Sequence, residues 1–315
     1  MKKIITLFTL LLSHTFLFAQ ENNASEKIIS INIKGVAIEG TLLSSSPNQK
    51  IAIIIAGSGP TDRNGNSGLG VTCNSYKMLA EELAKNNIAS FRYDKRGIAK
   101  SAIKNFNEKD ITFDDYVNDA VSIYNYLKDS SGFKKIFFAG HSEGSLIGMI
   151  ATERTNASGY VSIAGAGRPI DVVITEQVSK QSPLIGKETD SLFQVLKTKN
   201  KLDTVPPYLI SLFRPSIQPY MVSWMKYNPS IEISHIKKPM LILQGSCDIQ
   251  VKILDAETLY NGNKKAKLDI VDGMTHVLKN AEANCVDTNL KTYHDVSLPL
   301  NTQLLKDIIS FIQSN

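Results

Sequence analysis

Cysteine is scarce. Three thiols, Cys73, Cys247 and Cys285, stand in 315 residues. Their odd number and wide spacing exclude a disulfide-stapled fold and a cysteine-built metal centre. One bridge with one thiol left over is allowed, and the spacing does not select the pair. Clustered basic charge is also missing. The net charge is +5 and the pI near 8.9, but no Lys/Arg-dense tract or aromatic-interleaved basic stripe occurs, so nucleic acid is not an expected partner. The chain has no dinucleotide-type glycine loop and no set of residues at metal-ligand spacing, and no cofactor or metal is expected. Internal repeats and low-complexity tracts are absent too.

What is present is an ordinary globular composition, 43% hydrophobic and 21% charged, on a chain long enough for one large core plus an insert. The first twenty residues stand apart. Lys2 and Lys3 precede a mostly apolar run from Ile4 to Phe18, and Ala19 lies before a polar QENNASEK. The expectation is a secretory signal peptide over 1–19, cut after Ala19, with the mature chain exported to the periplasm or beyond and not inserted in the membrane. The run is short for a membrane span, and no cysteine follows the cut to suggest a lipoprotein.

The informative stretch is Lys135 to Ser145, KIFFAGHSEGS. Its apolar run reads as a buried strand and its end as a helix, with Gly140-His141-Ser142-Glu143-Gly144 between them. G-x-S-x-G in a strand–turn–helix setting is the pattern that raises a serine above the carboxyl edge of a sheet. Ser142 is therefore the candidate nucleophile. Further strands are expected in a hairpin over 28–44 and at Ile51–Ala56, Ala89–Tyr93, Gly159–Ala164, Pro239–Gln244 and Lys267–Val271. Helices are expected at Tyr76–Asn86, Thr112–Lys128 and Leu300–Ile312. Solid hydrophobic strands alternating with helices predict a mostly parallel, doubly wound α/β sheet. The alternation breaks over 169–235, where helical segments at 171–180, 191–199 and 208–213 lie among Pro183, Pro206, Pro207, Pro215, Pro219 and Pro229. This region is expected to be a helical cap inserted after the sixth strand, between core segments 20–168 and 236–315.

A serine hydroxyl needs a base, and the base an orienting carboxylate. Two later strand-end loops supply them in the order Ser, Asp, His: Asp248 follows PMLILQ, and His276 follows the strand ending at Val271. Asp255 and His294 compete for these roles. Asp255 falls inside the next helix, and His294 lies in the irregular stretch before the last one. His141 sits beside the nucleophile with its side chain turned away, and His235 ends the insert. The oxyanion is expected to take the backbone N–H of Glu143 and an N–H from Gly57-Ser58-Gly59, with Ser58 preferred and Pro60 having none to give.

Six motifs in order extend this pattern: GSGPTDRNG at 57–65, RYDKRG at 92–97, GHSEG at 140–144, GAGRP at 165–169, GSCDIQV at 245–251 and DGMTHVLK at 272–279. Over residues 30 to 313 the chain resembles the α/β-hydrolases, in particular the bacterial dienelactone-hydrolase-like and serine-aminopeptidase-like esterases. The resemblance implies the triad Ser142, Asp248 and His276, a helical lid, and Asp62 and Arg63 near the pocket entrance. Arg92, Asp94 and Arg96 look like a polar network pinning the loop beside the oxyanion hole. Ala99 stands where relatives commonly carry a second glycine.

The expected chemistry is acyl transfer through an acyl-enzyme on small or short-acyl esters. The insert carries aromatic and Met residues but no long hydrophobic lid of the lipase kind. The alternative is a serine exopeptidase or aminopeptidase on short peptides, for which Glu143, Glu176 or Glu188 would anchor a free amine. A non-catalytic binding protein on a hydrolase scaffold is disfavoured, because no triad member is missing.

Overall fold

The computed structural model describes residues 24–46, 49–281, 285 and 289–315. The expected leader lies outside them. Among the described residues no helix is long and apolar enough to cross a membrane.

The continuous apolar run IAIIIA is explained by burial on two sides. In β3 (Lys50–Ile55), Ile51, Ile53 and Ile55 enter one core, and Ala52 and Ile54 enter the other. The sheet is built around this strand. Its partners are β1 (Ser25–Ile33), β2 (Val36–Ser44), β6 (Ile88–Tyr93), β7 (Ile136–His141), β8 (Gly159–Ile163), β9 (Met240–Gly245) and β10 (Lys267–Val271). The 8-stranded order is β1-β2-β6-β3-β7-β8-β9-β10. β1 and β2 form the antiparallel hairpin, β2 meets β6 antiparallel, and every other pairing is parallel. A two-residue ribbon, β4 (Asn66–Ser67) with β5 (Val71–Thr72), folds the loop after β3.

Five helices cover the sheet. On one face the core holds Leu79, Ala80 and Leu83 of α1 (Ser75–Lys85) and Leu304, Ile308 and Ile312 of α11 (Thr302–Ser314). On the other it holds residues of α2 (Phe113–Asp129), α3 (Glu143–Glu153) and α9 (Ile253–Gly262). Asp115 starts α2 by accepting the N–H of Thr112 at 2.9 Å, half of a capping box.

The region after β8, the sixth strand of the main sheet, contains no strand. It is more helical than expected, with α4 (Ile170–Gln181), α5 (Pro183–Lys199), α6 (Ile210–Phe213), α7 (Gln218–Trp224) and α8 (Pro229–His235). The correction concerns proline. Pro183, Pro219 and Pro229 occupy first-turn positions, where the missing N–H costs nothing, and so they start helices that the sequence reading began later or omitted. Phe193, Phe213 and Trp224 bury into the same core as α2 and α3. A short helix, α10 (Asn289–Thr292), precedes the last one.

Candidate active site

Ser142 sits at the tip of β7 as the residue before α3, with φ 55° and ψ −119°. For a non-glycine residue this is a strained conformation, and its neighbours allow it. A Cβ on Gly140 would stand 2.0 Å from the carbonyl oxygen of Gly144, and one on Gly144 would stand 2.3 Å from that of Ile55. Both glycines are therefore demanded by backbone contact. The N–H of Glu143 lies in the first turn of α3, where no intrahelical acceptor exists.

Asp248 and His276 meet across the ends of β9 and β10, with Nδ1 of His276 2.7 Å from Oδ2 of Asp248. Asp248 also accepts the N–H groups of Gln250 at 2.8 Å and Val251 at 3.0 Å. Burial pushes its pKa up, but His276 and these donors outweigh burial and hold it below the usual carboxylate range. A disulfide between Cys247 and Cys285 ties down the residue before it, and Cys73 is the buried free thiol. Ser142 and His276 line the same cavity, of about 290 Å³. The competitors point elsewhere: Asp255 accepts from Arg168 at 2.9 Å, and His294 lines neither of the two cavities at Ser142.

His141 lines the smaller cavity together with Ser142 and belongs to a relay that sequence reasoning missed. The N–H of Gly57 donates to the Tyr76 hydroxyl at 3.0 Å, and that hydroxyl lies 2.7 Å from Nδ1 of His141. Nε2 of His141 is 2.8 Å from the main-chain oxygen of His276. A carbonyl can only accept, so Nε2 carries the proton and Nδ1 accepts from Tyr76. Burial, reinforced by His276, lowers the pKa of His141 to about 3, which fixes it as a neutral link between the Gly57 loop and the His276 loop.

Lys95 is the second group that was missed. Its ammonium donates to the carbonyl of Gly57 at 2.7 Å and to the Glu143 carboxylate at 2.7 Å, and it lies 4.8 Å from the centre of the Tyr116 ring. In a trans peptide the C=O and N–H point opposite ways, so the grip on Gly57 aims the N–H of Ser58 away from Lys95. No spacing rule links two residues this far apart in the chain. Only the lysine in DKRG hinted at it.

Asp62 and Arg63 line neither cavity, which corrects the expectation of a place at the pocket entrance. Asp62 closes a turn by accepting from Asn64 at 2.8 Å and Asn66 at 2.9 Å. Arg63 is buried and pairs with Asp94, at 2.8 Å, and with Glu39. Arg92 reaches Asn64 at 3.2 Å and Arg96 reaches Asp119 at 3.0 Å. Arg63 and Arg92 tie the loop after β3 to β2 and to β6 and its end, and Arg96 ties the loop after β6 to α2.

A second, larger cavity of about 710 Å³ opens between Ser142 and the cap. The sheet order and the serine on its strand–helix turn are those of the α/β-hydrolase fold. The comparisons agree. The family model described as "Serine aminopeptidase, S33" matches residues 65–209. Esterase EstD of Thermotoga maritima is 24% identical over 270 residues, covering 84% of this chain. The match takes in 63% of that esterase, so the chain spans under two thirds of the length of this curated relative. Est1E from Butyrivibrio proteoclasticus, solved with ferulic acid bound, superposes with a TM-score of 0.61 at 18% identity, covering 91% of this chain and 100% of that one. The Pyrococcus furiosus esterase Pf2001 gives 0.58 at 16% identity, covering 99% and 96%. A dienelactone hydrolase from Anabaena variabilis gives 0.56 at 15%, covering 92% and 98%.

Proposed function

We propose that the chain is a serine carboxylesterase, with Ser142 as nucleophile, His276 as base and Asp248 as its orienting carboxylate. The observation that carries this reading is the His276–Asp248 contact of 2.7 Å, facing a cavity that Ser142 also lines. In the reaction, Oγ of Ser142 attacks the ester carbonyl while His276 takes its proton. The oxyanion is held by the N–H groups of Glu143 and Ser58, the alcohol departs with the proton from His276, and water repeats the steps on the acyl-enzyme. Similarity to Esterase EstD supports the same reaction.

The family model's description favours a peptidase, and the carboxylates argue against it. A free amine would need an unoccupied acid near the serine. The cavities at Ser142 are lined by two carboxylates, Glu108 and Glu143; Arg214 pairs with the first and Lys95 with the second. Glu176 lies outside and is held by Arg168 at 2.6 Å. Glu188 also lies outside, bonded to Tyr208.

The deciding experiment compares p-nitrophenyl esters with aminoacyl p-nitroanilides, using Ser142→Ala as control. Ester turnover that falls by about 10⁴-fold or more in the variant is expected. Cleavage of the anilides alone would transfer the reading to an exopeptidase. The apolar leader, with the Cys247–Cys285 bridge, supports export to an oxidising compartment. Secreted or periplasmic protein should begin at Gln20, and an intact Met1 on the folded cytoplasmic protein would remove that proposal.

A further inference from the structure

The two cavities meet at Ser142 and differ in size and in company. They share Ser142, Ser58, Gly59, Pro60, Leu69 and Gln250. The smaller one, about 290 Å³, is lined by His276 together with Tyr76 and Tyr293. The larger, about 710 Å³, has no contact with His276 and is walled by the cap through Ile174, Val178, Met221 and Trp224.

This asymmetry can be assigned to the two ends of an ester. At the tetrahedral intermediate the reacting carbon carries Oγ of Ser142, the oxyanion, the acyl substituent and the leaving oxygen. Only the leaving oxygen must receive a proton, and the donor is His276. The alcohol therefore has to lie on the His276 side, in the small cavity. The acyl substituent is left with the large one.

Resting on the esterase reading above, we propose that the preferred substrates are esters of bulky, apolar, uncharged carboxylic acids with small alcohols. The large cavity sets the acyl range and the small one limits the alcohol. Neutrality of the acyl group follows from the cations and anions on the cavity wall, which already satisfy each other. Lys95 pairs with Glu143, Arg214 with Glu108, and Arg168 with Asp255 and Glu176. A carboxylate or amine on the acyl chain would have to break one of these pairs. Short acyl groups satisfy the chemistry but leave most of the large cavity unfilled, forgoing the burial of apolar surface that it offers.

The test is a reciprocal series followed by pH-stat: methyl esters of acids from acetate to decanoate, and acetates of alcohols from methanol to decanol. Expected is a kcat/KM that climbs at least about tenfold along the acid series and falls along the alcohol series, in line with what one or two well-buried methylenes contribute. Ile174→Trp, on the cap wall, should cost methyl decanoate about tenfold more than it costs methyl acetate. Val178→Trp serves the same purpose if the first variant does not fold by circular dichroism. A rise along the alcohol series instead, equal slopes in both, or a cap variant that slows both substrates equally would overturn the assignment while leaving the esterase reading intact. Failure of every ester, in folded protein, would take down the esterase reading and this inference with it.

Discussion

Lys95 and Glu143 form an ion pair of 2.7 Å with both side chains almost wholly buried. A buried pair of this kind costs desolvation that its attraction only roughly offsets, so its presence beside the nucleophile calls for a role. Glu143 carries one of the two N–H groups proposed for the oxyanion, and Lys95 also grips Gly57, whose peptide bears the other proposed donor.

Lys95→Met should therefore lower kcat by about 10²-fold, the scale of losing one oxyanion donor, with little change in KM. It also strands a buried carboxylate, which costs about 3–5 kcal/mol in stability. The double variant Lys95→Met/Glu143→Gln removes that charge and should recover most of the stability without recovering kcat. Recovery of both, measured by denaturant melts and steady-state kinetics, would reduce the lysine to a structural counter-ion.

His141 predicts a pH dependence of stability. Its folded pKa, about 3, lies below the ordinary 6.5, so between those values the unfolded chain binds a proton that the folded chain refuses. The His141 contribution is thus complete above about pH 6.5 and is lost as pH falls toward 3, at a limiting slope of about 1.4 kcal/mol per pH unit. His141→Phe should flatten the wild-type decline between about pH 6 and 5. An unchanged slope in urea titrations would mean that another group carries it.

Ala99 adopts φ 45°, in the left-handed region that favours glycine. An L-residue there carries about 1–2 kcal/mol of strain, and glycine adds back about 0.5–1 kcal/mol of unfolded-state entropy. Ala99→Gly should stabilise the protein by about 0.5–1 kcal/mol and leave activity unchanged, read as a shifted urea midpoint with a constant slope. A destabilised variant would show that the Ala99 methyl packs usefully.

The candidate residues were legible because each of the three follows a strand, solidly apolar for Ser142 and Asp248, and parallel strands deliver their carboxyl ends to one edge. Lys95 and the Tyr76–His141 relay were illegible for the opposite reason. Their partners lie on other strands and in other loops, and no local periodicity records a contact made only after the sheet closes. The helix bounds within the cap turned on a local rule. Pro183 and Pro229 lie outside the helical segments expected there, although a proline preceded by a capping Ser182 or Asn228 is a natural helix start. Asp62 and Arg63 were misplaced because a charged pair in a loop after a central strand reads the same whether it faces a ligand or, as Arg63 does, Asp94.

The Cys247–Cys285 bridge closes a covalent ring, and both Asp248 and His276 lie inside it. A protease that nicks any single peptide bond within the ring cannot set the two adrift, since each remains joined to the rest of the molecule through the sulfurs. Ser142 lies outside the ring and depends on the sheet alone. The molecule is thus wired so that Asp248 and His276 stay attached through a kind of damage that would cut an open loop free.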